Sequence, residues 1–542
     1  MRLINSQTIK FHEFEQSSSK VPRYAILSHT WGDEEVTFRD MCSEPMVDVT
    51  RKKGYAKIKE TCRLALQHNL EYVWIDTCCI DKSSSAELSE SINSMFKWYE
   101  HAAVCYVFLS DFNPDSMKLG DCRWWTRGWT LQELLAPNNL MFYNATWKLV
   151  GTKRSLIKEI AKITKIEEHY IQYTQMISQC PVAQRMAWAS CRQTTRIEDQ
   201  AYCLLGIFGI NMPLLYGEGR MAFRRLQEEI IKRNSDMTIF FWNWPENDVS
   251  EPQCKGLSLD ELQLSSLLAE SPSAFRTVDA LSPFISVFPE FVITNKGVLF
   301  SHVLQLSVVK EPETDYQLYG FWLGQDCDII PRGILLRKVG PGVYCRVRHT
   351  TVRREAAIWK ASDTSFYIIP DPGYDVKTKI YQHRNHAFHI PDNEQFQLQR
   401  VSPRRLFDVT DRIFLHTPVT LMGWLKRGVQ YHMTAVQVVA HVGSANIELI
   451  VLFNYSYIKI FDRKRYREQA EFFFGNENEE NPICFSDLSK KMADIASSSH
   501  SLEVLLSEDK KATISVSIIP GELEITGAPC LVYRLVFNTV IT

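Results

Sequence analysis

The first 150 residues alternate between short apolar runs and longer segments whose apolar residues recur every three or four positions. The apolar runs occupy residues 24–27, 72–76, 104–109 and 140–143, and the helical patterns between them occupy 55–66, 84–99 and 127–135. Strands that alternate with amphipathic helices predict βαβ units with parallel strands. Runs without polar alternation predict a sheet covered by helices on both faces. Residues 1–150 are therefore predicted to form an α/β core.

Two further regions are predicted downstream of this core. Residues 151–240 are predicted to form a helical extension, with a buried helix in RIEDQAYCLLGIFGI (196–210) and an amphipathic helix in GRMAFRRLQEEIIKR (219–233). From about residue 240, short β-rich runs separated by turn signals predict a mainly antiparallel β domain over 241–542. The boundary is predicted between about 235 and 285, and GNENEENP (475–482) is predicted to be a polar loop.

Composition and motifs argue against several classes of function. The formal net charge is −2 without a basic stripe, which argues against a nucleic-acid partner. No apolar run reaches the ~18 residues of a membrane span, and the amino-terminal stretch lacks a signal peptide's apolar region, so a cytoplasmic protein is expected. None of the 14 cysteines forms a CxxC pair, and Cys78 and Cys79 are interpreted as apolar strand-end residues. In HRNHAFH, His383, His386 and His389 are spaced three apart and would alternate faces in a strand, so no metal site is predicted.

Polar residues follow the predicted strands, where parallel sheets bind ligands. Each has an alternative structural interpretation, because aspartates also cap loops and glycine also permits turns. These candidate residues are Ser28, His29, Trp31, Gly32 and Asp33 after the first strand, Asp76 and Asp81 after the second, and Ser110 and Asp111 after the third.

The segment RGWTLQELLAP (127–137) places Glu133 among leucines that have the pattern of a core. Three interpretations stay open on the residues alone. Thr130 and Glu133 fit a T-x-x-E capping box, Arg127 could form an ion pair with Glu133, or Glu133 could be the working carboxylate of a site. Arg196 and Asp199 are interpreted as a structural ion pair or a helix cap.

Three blocks of this sequence resemble the fungal heterokaryon incompatibility (HET) domain. They are YAILSHTWGDEEVTF, YVWIDTCCIDKSSSAELSESINSMFKWY and RGWTLQELLAP, and AYCLLGIFGINMPLLYGEG resembles the usual extension of that domain. The resemblance covers roughly residues 24–235, and LLAESPSAF with VITNKGV resembles a segment often appended to HET domains. It implies a protein that triggers programmed cell death when incompatible fungal strains fuse.

A more remote resemblance links the same blocks to TIR domains. WTLQEL is similar to the TIR helix that carries the catalytic glutamate of NAD-cleaving members, which implies a TIR-like fold with Glu133 as the catalytic residue and Trp129 one turn before it. The resemblance implies an NAD nucleosidase with NAD as substrate, no bound cofactor, and substrate contacts from Trp129 and the residues after the first two strands. His29, Trp31 and the insertion DFNPDSMKLGDC depart from the TIR pattern.

One carboxylate is sufficient for the implied chemistry. Nicotinamide leaves NAD as a neutral molecule, so no general acid is needed, in contrast to ordinary glycoside hydrolysis. A carboxylate can stabilise the oxocarbenium-like ribose by its charge. The alternative function is a non-catalytic signalling scaffold that acts through self-association or through binding a partner protein.

Overall fold

The computed structural model describes the amino-terminal half of the chain almost continuously and the carboxyl-terminal half mainly at its strands. The described residues are 1–15, 21–43, 47–243, 264–278, 290–303, 306–309, 318–325, 328, 330–340, 342–347, 352–353, 364–372, 387–391, 395–402, 407–408, 412–414, 434–454, 457–463, 501–507, 510–525 and 528–542. The polar loop predicted at 475–482, as well as His383 and His386, lies outside them.

The amino-terminal half is built on a seven-stranded sheet in the order β2-β1-β4-β3-β5-β6-β7. The four central strands β4, β3, β5 and β6 are parallel, which confirms that the runs at 24–27, 72–76 and 104–109 lie side by side. The strands are β1 (Arg2–Asn5), β2 (Phe11–Glu13), β3 (Tyr24–His29), β4 (Tyr72–Trp74), β5 (Val104–Phe108), β6 (Leu140–Tyr143) and β7 (Leu149–Thr152).

The predicted parallel sheet is extended on both sides by antiparallel strands. Strands β1 and β2 add to one side and β7 to the other, all in antiparallel pairing. These edge strands are short, and β2 and β7 carry exposed or half-buried side chains. Strands β2 and β7 lie at the solvent boundary, and β1 lies between β2 and β4 but has only four residues, so none of the three shows the long apolar run of the central strands.

The helices predicted between the strands are confirmed. The pattern at 55–66 lies within α3, and the pattern at 84–99 lies within α5, where the Ser84 hydroxyl caps the helix by accepting from the Glu87 backbone N–H. The helices of this half are α1 (Phe38–Met41), α2 (Val47–Thr50), α3 (Lys53–Gln67), α4 (Asp76–Cys79), α5 (Ser85–His101), α6 (Thr130–Leu135), α7 (Ile157–Thr164), α8 (Glu168–Gln172), α9 (Val182–Ala189), α10 (Asp199–Tyr202), α11 (Leu205–Phe208) and α12 (Met221–Ile231).

The extension is helical as predicted, with one correction. The single buried helix predicted at 196–210 is two short helices, α10 and α11. Helix α11 packs so closely on α5 that a Cβ on Gly206 would lie 2.1 Å from the Phe96 Cβ. Each of the two helices has only four residues, too few for the apolar periodicity of the sequence to show where one ends and the next begins. The amphipathic helix is confirmed as α12, with Phe223, Leu226 and Ile230 buried.

The carboxyl-terminal half is rich in strands, and most of their pairs are antiparallel. Two described pairs, β14 with β16 and β17 with β26, are parallel. The strands are β8 (Leu264–Ser265), β9 (Glu290–Thr294), β10 (Gly297–Val303), β11 (Leu306–Val309), β12 (Leu318–Gln325), β13 (Pro331–Gly340), β14 (Val343–Val347), β15 (Val352–Arg353), β16 (Thr364–Ile368), β17 (Ala387–His389), β18 (Phe396–Ser402), β19 (Phe407–Asp408), β20 (Ile413–Phe414), β21 (Thr434–Val442), β22 (Ala445–Asn454), β23 (Tyr457–Asp462), β24 (Ser501–Ser507), β25 (Lys510–Ile525) and β26 (Ala528–Ile541).

In the described part of the chain, the buried apolar residues form two clusters. One runs from Leu3 to Ile368 and joins the α/β core, the helical extension and the sheet that contains β9–β16. The other runs from Phe388 to Phe537. The division into 1–150, 151–240 and 241–542 stays a prediction, and packing groups the first carboxyl-terminal sheet with the amino-terminal half. Among the described residues, no helix is both long and apolar enough to cross a membrane.

Candidate functional site

A cavity of about 320 Å³ opens at the carboxyl ends of β3 and β4. The parallel strands lie side by side in the order β4-β3-β5-β6, so the first of them along the chain, β3, lies between the second and the third. The direction of winding therefore reverses between β3 and β5, and ligands of doubly wound sheets bind at such a reversal. The volume falls within the range of small-molecule sites. The cavity is lined by His29, Thr30, Trp31, Asp76, Ile80, Lys82, Leu88, Ile92, Met95, Arg127, Trp129, Thr130, Glu133, Thr195, Arg196, Asp199 and Tyr216.

Glu133 reaches this cavity from α6, with 7% of the residue exposed. The hydroxyl of Ser28, at the end of β3, donates to its Oε2 at 2.5 Å. The indole N–H of Trp124 donates to the same Ser28 oxygen at 2.8 Å and so fixes the direction of the hydroxyl proton. The Tyr99 hydroxyl lies within hydrogen-bonding reach of both the carboxyl and the Leu27 carbonyl. The carboxyl group is therefore held in place before any ligand enters.

The electrostatic setting of Glu133 favours its neutral form. Burial raises the pKa of Glu133 from 4.5 to about 8, and the negative charge of Asp76 acts in the same direction. The Ser28 and Tyr99 hydrogen bonds and the Arg192 charge only partly offset these effects. A pKa of about 8 means that the protonated carboxyl predominates at pH 7.

The geometry around α6 excludes two of the three interpretations of Glu133. The capping-box interpretation is wrong, because the Thr130 hydroxyl donates to the carbonyls of Trp124 and Arg127 at 2.6 and 2.9 Å and caps no N–H of the helix. The ion pair with Arg127 is also wrong, since that guanidinium donates to Thr195 at 3.2 Å. What the structure supports is a carboxyl group held at a cavity wall.

Close packing against residues 193 and 194 explains why residue 128, near the start of the RGWTLQELL segment, is a glycine. Its N–H donates to the Gln193 carbonyl at 2.8 Å, and the Gln193 N–H donates to Thr126 at 2.6 Å. A Cβ at Gly128 would lie 2.5 Å from the Thr194 Cγ2. Only glycine allows this approach, which brings the segment around Thr195 to the cavity.

A second charged network lines the cavity after β3. Asp76 accepts from His29 Nε2 at 3.0 Å and from the Trp31 indole at 2.8 Å. Lys57 Nζ lies 3.0 Å from His29 Nδ1, which gives the imidazole a donor on one side and an acceptor on the other. Burial alone would raise the pKa of Asp76, but the hydrogen bond from His29, the charge of Lys82 and the hydrogen bond from Trp31 lower it to about 2. Asp76 therefore stays ionised and orients both rings.

The predicted candidates divide into those at the cavity and those away from it. Glu133, His29, Trp31, Asp76 and Trp129 line it, and Ser28 lies directly behind Glu133. Gly32, Asp33 and Asp81 do not line it. The Gly32 N–H donates to Glu35 at 2.7 Å, and Asp81 accepts from the Ser83 N–H at 2.9 Å, so these positions have turn and loop-capping contacts. Asp33 is exposed.

Other polar residues after the strands also have local partners. The hydroxyls of Ser110 and Thr30 lie 3.4 Å apart, and Asp111 accepts from the Arg123 backbone N–H at 2.8 Å. Within the described part of the chain, no group of three or more histidine, cysteine, aspartate or glutamate side chains could hold a metal ion. The described cysteines are free thiols.

The sequence did not predict that the helical extension forms one wall of the cavity, with Arg196, Asp199 and Tyr216. Asp199 accepts from the Tyr216 hydroxyl at 3.0 Å and from the Trp129 indole, while burial raises its pKa. The Arg196 guanidinium lies 4.4 Å from the centre of the Tyr216 ring. These residues follow the last parallel strand by more than fifty positions, so the pattern of strand ends carried no signal for them.

The family model described as heterokaryon incompatibility protein (HET) matches residues 24–123. This region of the chain is therefore identified as a HET domain, as the sequence predicted. A model described as a domain of unknown function (DUF8212) matches residues 221–291, which include the predicted appended segment LLAESPSAF. Glu133 and the cavity residues of the extension lie beyond the range matched by the HET model.

Among curated proteins, the chain is similar to the vegetative incompatibility protein HET-E-1 of Podospora anserina. The two are 45% identical over 228 residues, which cover 40% of this chain and 16% of that relative. The chain thus matches only a small part of the relative's length. No solved structure matches the chain.

Proposed function

We propose that this protein acts in vegetative incompatibility and that its HET domain triggers cell death by cleaving NAD between nicotinamide and ribose. The observation that carries the proposal is the position of Glu133, a carboxyl held by Ser28 at the wall of a cavity at the winding reversal of the sheet. The vegetative incompatibility relative supports the biological role, and the second-first-third-fourth strand order supports the TIR-like interpretation.

The cavity contains the groups that this reaction needs. Trp31 and Trp129 provide flat apolar surfaces beside Glu133, against which a nicotinamide ring can lie. As the glycosidic bond breaks, the bonding electrons leave with neutral nicotinamide and positive charge develops on the ribose. The ionised Glu133 stabilises that charge, in a site where it is little screened by water. Water then adds to the ribose cation and yields ADP-ribose and a proton.

The raised pKa of Glu133 is compatible with this role. A cationic nicotinamide ring beside the carboxyl favours the ionised form, because opposite charges a few ångströms apart lower the pKa of an acid. Ser28 stabilises the ionised form further by donating to it. Binding of the substrate and ionisation of Glu133 are therefore coupled, and each promotes the other.

The non-catalytic scaffold is the second candidate, and one observation favours it. Burial favours the neutral form of Glu133, as expected for a carboxyl that only bridges the hydroxyls of Ser28 and Tyr99. A scaffold needs no substrate in the cavity. The incubation with NAD described next separates the two candidate functions.

The test is to incubate the purified full chain with NAD and to follow nicotinamide release by chromatography. We expect release from the wild type and from Glu159→Gln, a matched control at an exposed position of α7. We expect none from Glu133→Gln, which keeps the shape of the side chain and removes its charge. Absence of release from correctly folded wild-type protein, or equal release from Glu133→Gln, would refute the enzymatic function. Toxicity on expression in a fungal host should follow the same order.

A further inference from the structure

Three cationic side chains line the same cavity as Glu133, and each has a neutral partner. Arg127 donates to the Thr195 hydroxyl, Arg196 stacks on Tyr216, and the Lys82 ammonium lies 3.5 Å from the centre of the Trp31 ring. Among the described residues, none of the three cations forms an ion pair within 4.0 Å. Their charge is therefore not neutralised by direct contact within that part of the chain.

The acidic groups of the cavity have partners other than these cations. Asp76 is ionised, but its two oxygens already accept from His29 and Trp31. Asp199 accepts from Tyr216 and Trp129, and burial raises the pKa values of both Asp199 and Glu133. Burial therefore favours the neutral forms of two of the three carboxyls, and the three cations without an acidic partner in the described part of the chain suit an anionic group on the ligand.

Two of the cations belong to segments that are paired with each other. Arg127 and Gln193 form an isolated parallel bridge, and Gly128 donates to the Gln193 carbonyl. Thr195, the partner of Arg127, is the residue directly before Arg196. The two guanidinium groups are thus held on neighbouring backbones, one anchored by a hydroxyl and the other by an aromatic face.

We propose that Arg127 and Arg196 bind the diphosphate of a dinucleotide substrate, in the cavity where Glu133 acts on the nicotinamide riboside end. This inference deepens the proposed function and rests on it for the identity of the reacting end. Guanidinium groups match phosphate oxygens with pairs of N–H donors, and such charge-assisted bonds are the strong ones in proteins. The site therefore selects diphosphate-bridged ligands over nicotinamide riboside, which carries no phosphate.

The test measures binding and does not depend on turnover. Calorimetric titration of the full-length protein with ADP-ribose and with inorganic pyrophosphate is compared with titration with ribose. We expect Arg127→Gln/Arg196→Gln to weaken ADP-ribose and pyrophosphate binding about a hundredfold, or about tenfold for each arginine. Arg127→Lys/Arg196→Lys keeps the charge but not the paired donors, so an intermediate loss is expected. The affinity of wild-type protein should fall with added salt.

A matched control removes two positive charges elsewhere. Arg51 and Lys53 are exposed and pair only with the surface acids Asp48 and Glu34 in the described contacts, so Arg51→Gln/Lys53→Gln should bind within twofold of wild type. Equal loss in this control would overturn the proposal, because it would assign the effect to general surface charge. Melting curves of each variant establish that it is folded.

The outcomes separate this inference from the proposed function. If NAD is cleaved but the arginine variants bind ADP-ribose as wild type does, the diphosphate site is wrong and the catalytic role of Glu133 stands. If NAD is not cleaved but the arginine variants lose pyrophosphate and ADP-ribose binding, the anion site stands without the enzyme. If pyrophosphate binds as tightly as ADP-ribose, the assignment to a dinucleotide fails and a free diphosphate is the ligand.

Discussion

Replacing Glu133 by glutamine should stabilise the folded protein at neutral pH while it abolishes NAD cleavage. The pKa of this carboxyl is about 8 in the folded protein against an ordinary value of 4.5. A folded-state pKa that is raised means that the folded state binds a proton more tightly than the unfolded state does. The stability that Glu133 contributes is therefore fully present below pH 4.5 and is lost as the pH rises from 4.5 to about 8.

The magnitude follows from the same two values. At about 1.36 kcal/mol for each tenfold change in proton concentration, the loss is about 3 kcal/mol at pH 7 and about 5 kcal/mol above pH 8. Glutamine cannot ionise and keeps the shape of the protonated acid, so the variant avoids this loss. At two to four degrees for each kcal/mol in a cooperative unit of about 150–250 residues, about the size of the amino-terminal half, the melting transition of that half at pH 7 should be roughly 6–12 °C higher than in wild type.

The assay is scanning calorimetry at pH 5, 7 and 8 on wild type, Glu133→Gln and the exposed control Glu159→Gln. The gain from Glu133→Gln should be below about 1 kcal/mol at pH 5 and should grow with pH, whereas Glu159→Gln should stay within about 0.5 kcal/mol of wild type throughout. A gain that does not change between pH 5 and 8, or no gain at all, would refute the argument that burial holds Glu133 neutral. Nicotinamide release measured on the same samples should be lost, so stability and activity change in opposite directions.

Three further predictions concern the same site. The value of kcat/KM for nicotinamide release should rise about tenfold for each pH unit up to about 8 and then level off, because it reports the ionisation of Glu133 in the free protein; a flat profile from pH 6 to 9 would contradict this. Asp76→Asn keeps an acceptor for the Trp31 indole and removes a charge that raises the pKa of Glu133. The rise of kcat/KM should therefore occur at lower pH in this variant, and a rise at higher pH would contradict the electrostatic account. Gly128→Ala should lower the free energy of unfolding by about 1–3 kcal/mol, because its Cβ would lie 2.5 Å from the Thr194 Cγ2. Gly32→Ala, where the nearest atom is 3.6 Å away, should change it by less than about 0.5 kcal/mol in the same denaturant titration, and equal effects would contradict the steric reason.

The sequence by itself determined the central strands, the helices between them and the end of the sheet at which the candidate site lies. Continuous apolar runs and helical periodicity are local properties, and they led directly to β3, β4 and β5 in one parallel sheet. Glu133 was also found from the sequence, because a carboxylate among leucines in a short helix is visible in the segment itself. The outer strands and the break between α10 and α11 were not found, because elements of three or four residues are too short to show a periodic pattern.

Only the tertiary structure decided the chemical character of the site. Arg196, Asp199 and Tyr216 reach the cavity because the backbone at Gly128 pairs with Gln193, a contact between segments that are far apart in the chain. The raised pKa of Glu133 depends on how completely distant elements exclude water from its carboxyl, and on the placement of Asp76 and Ser28 around it. Hydrophobic patterning determines which elements form, but desolvation and charge interactions depend on distances in three dimensions, and those are set only when the elements pack.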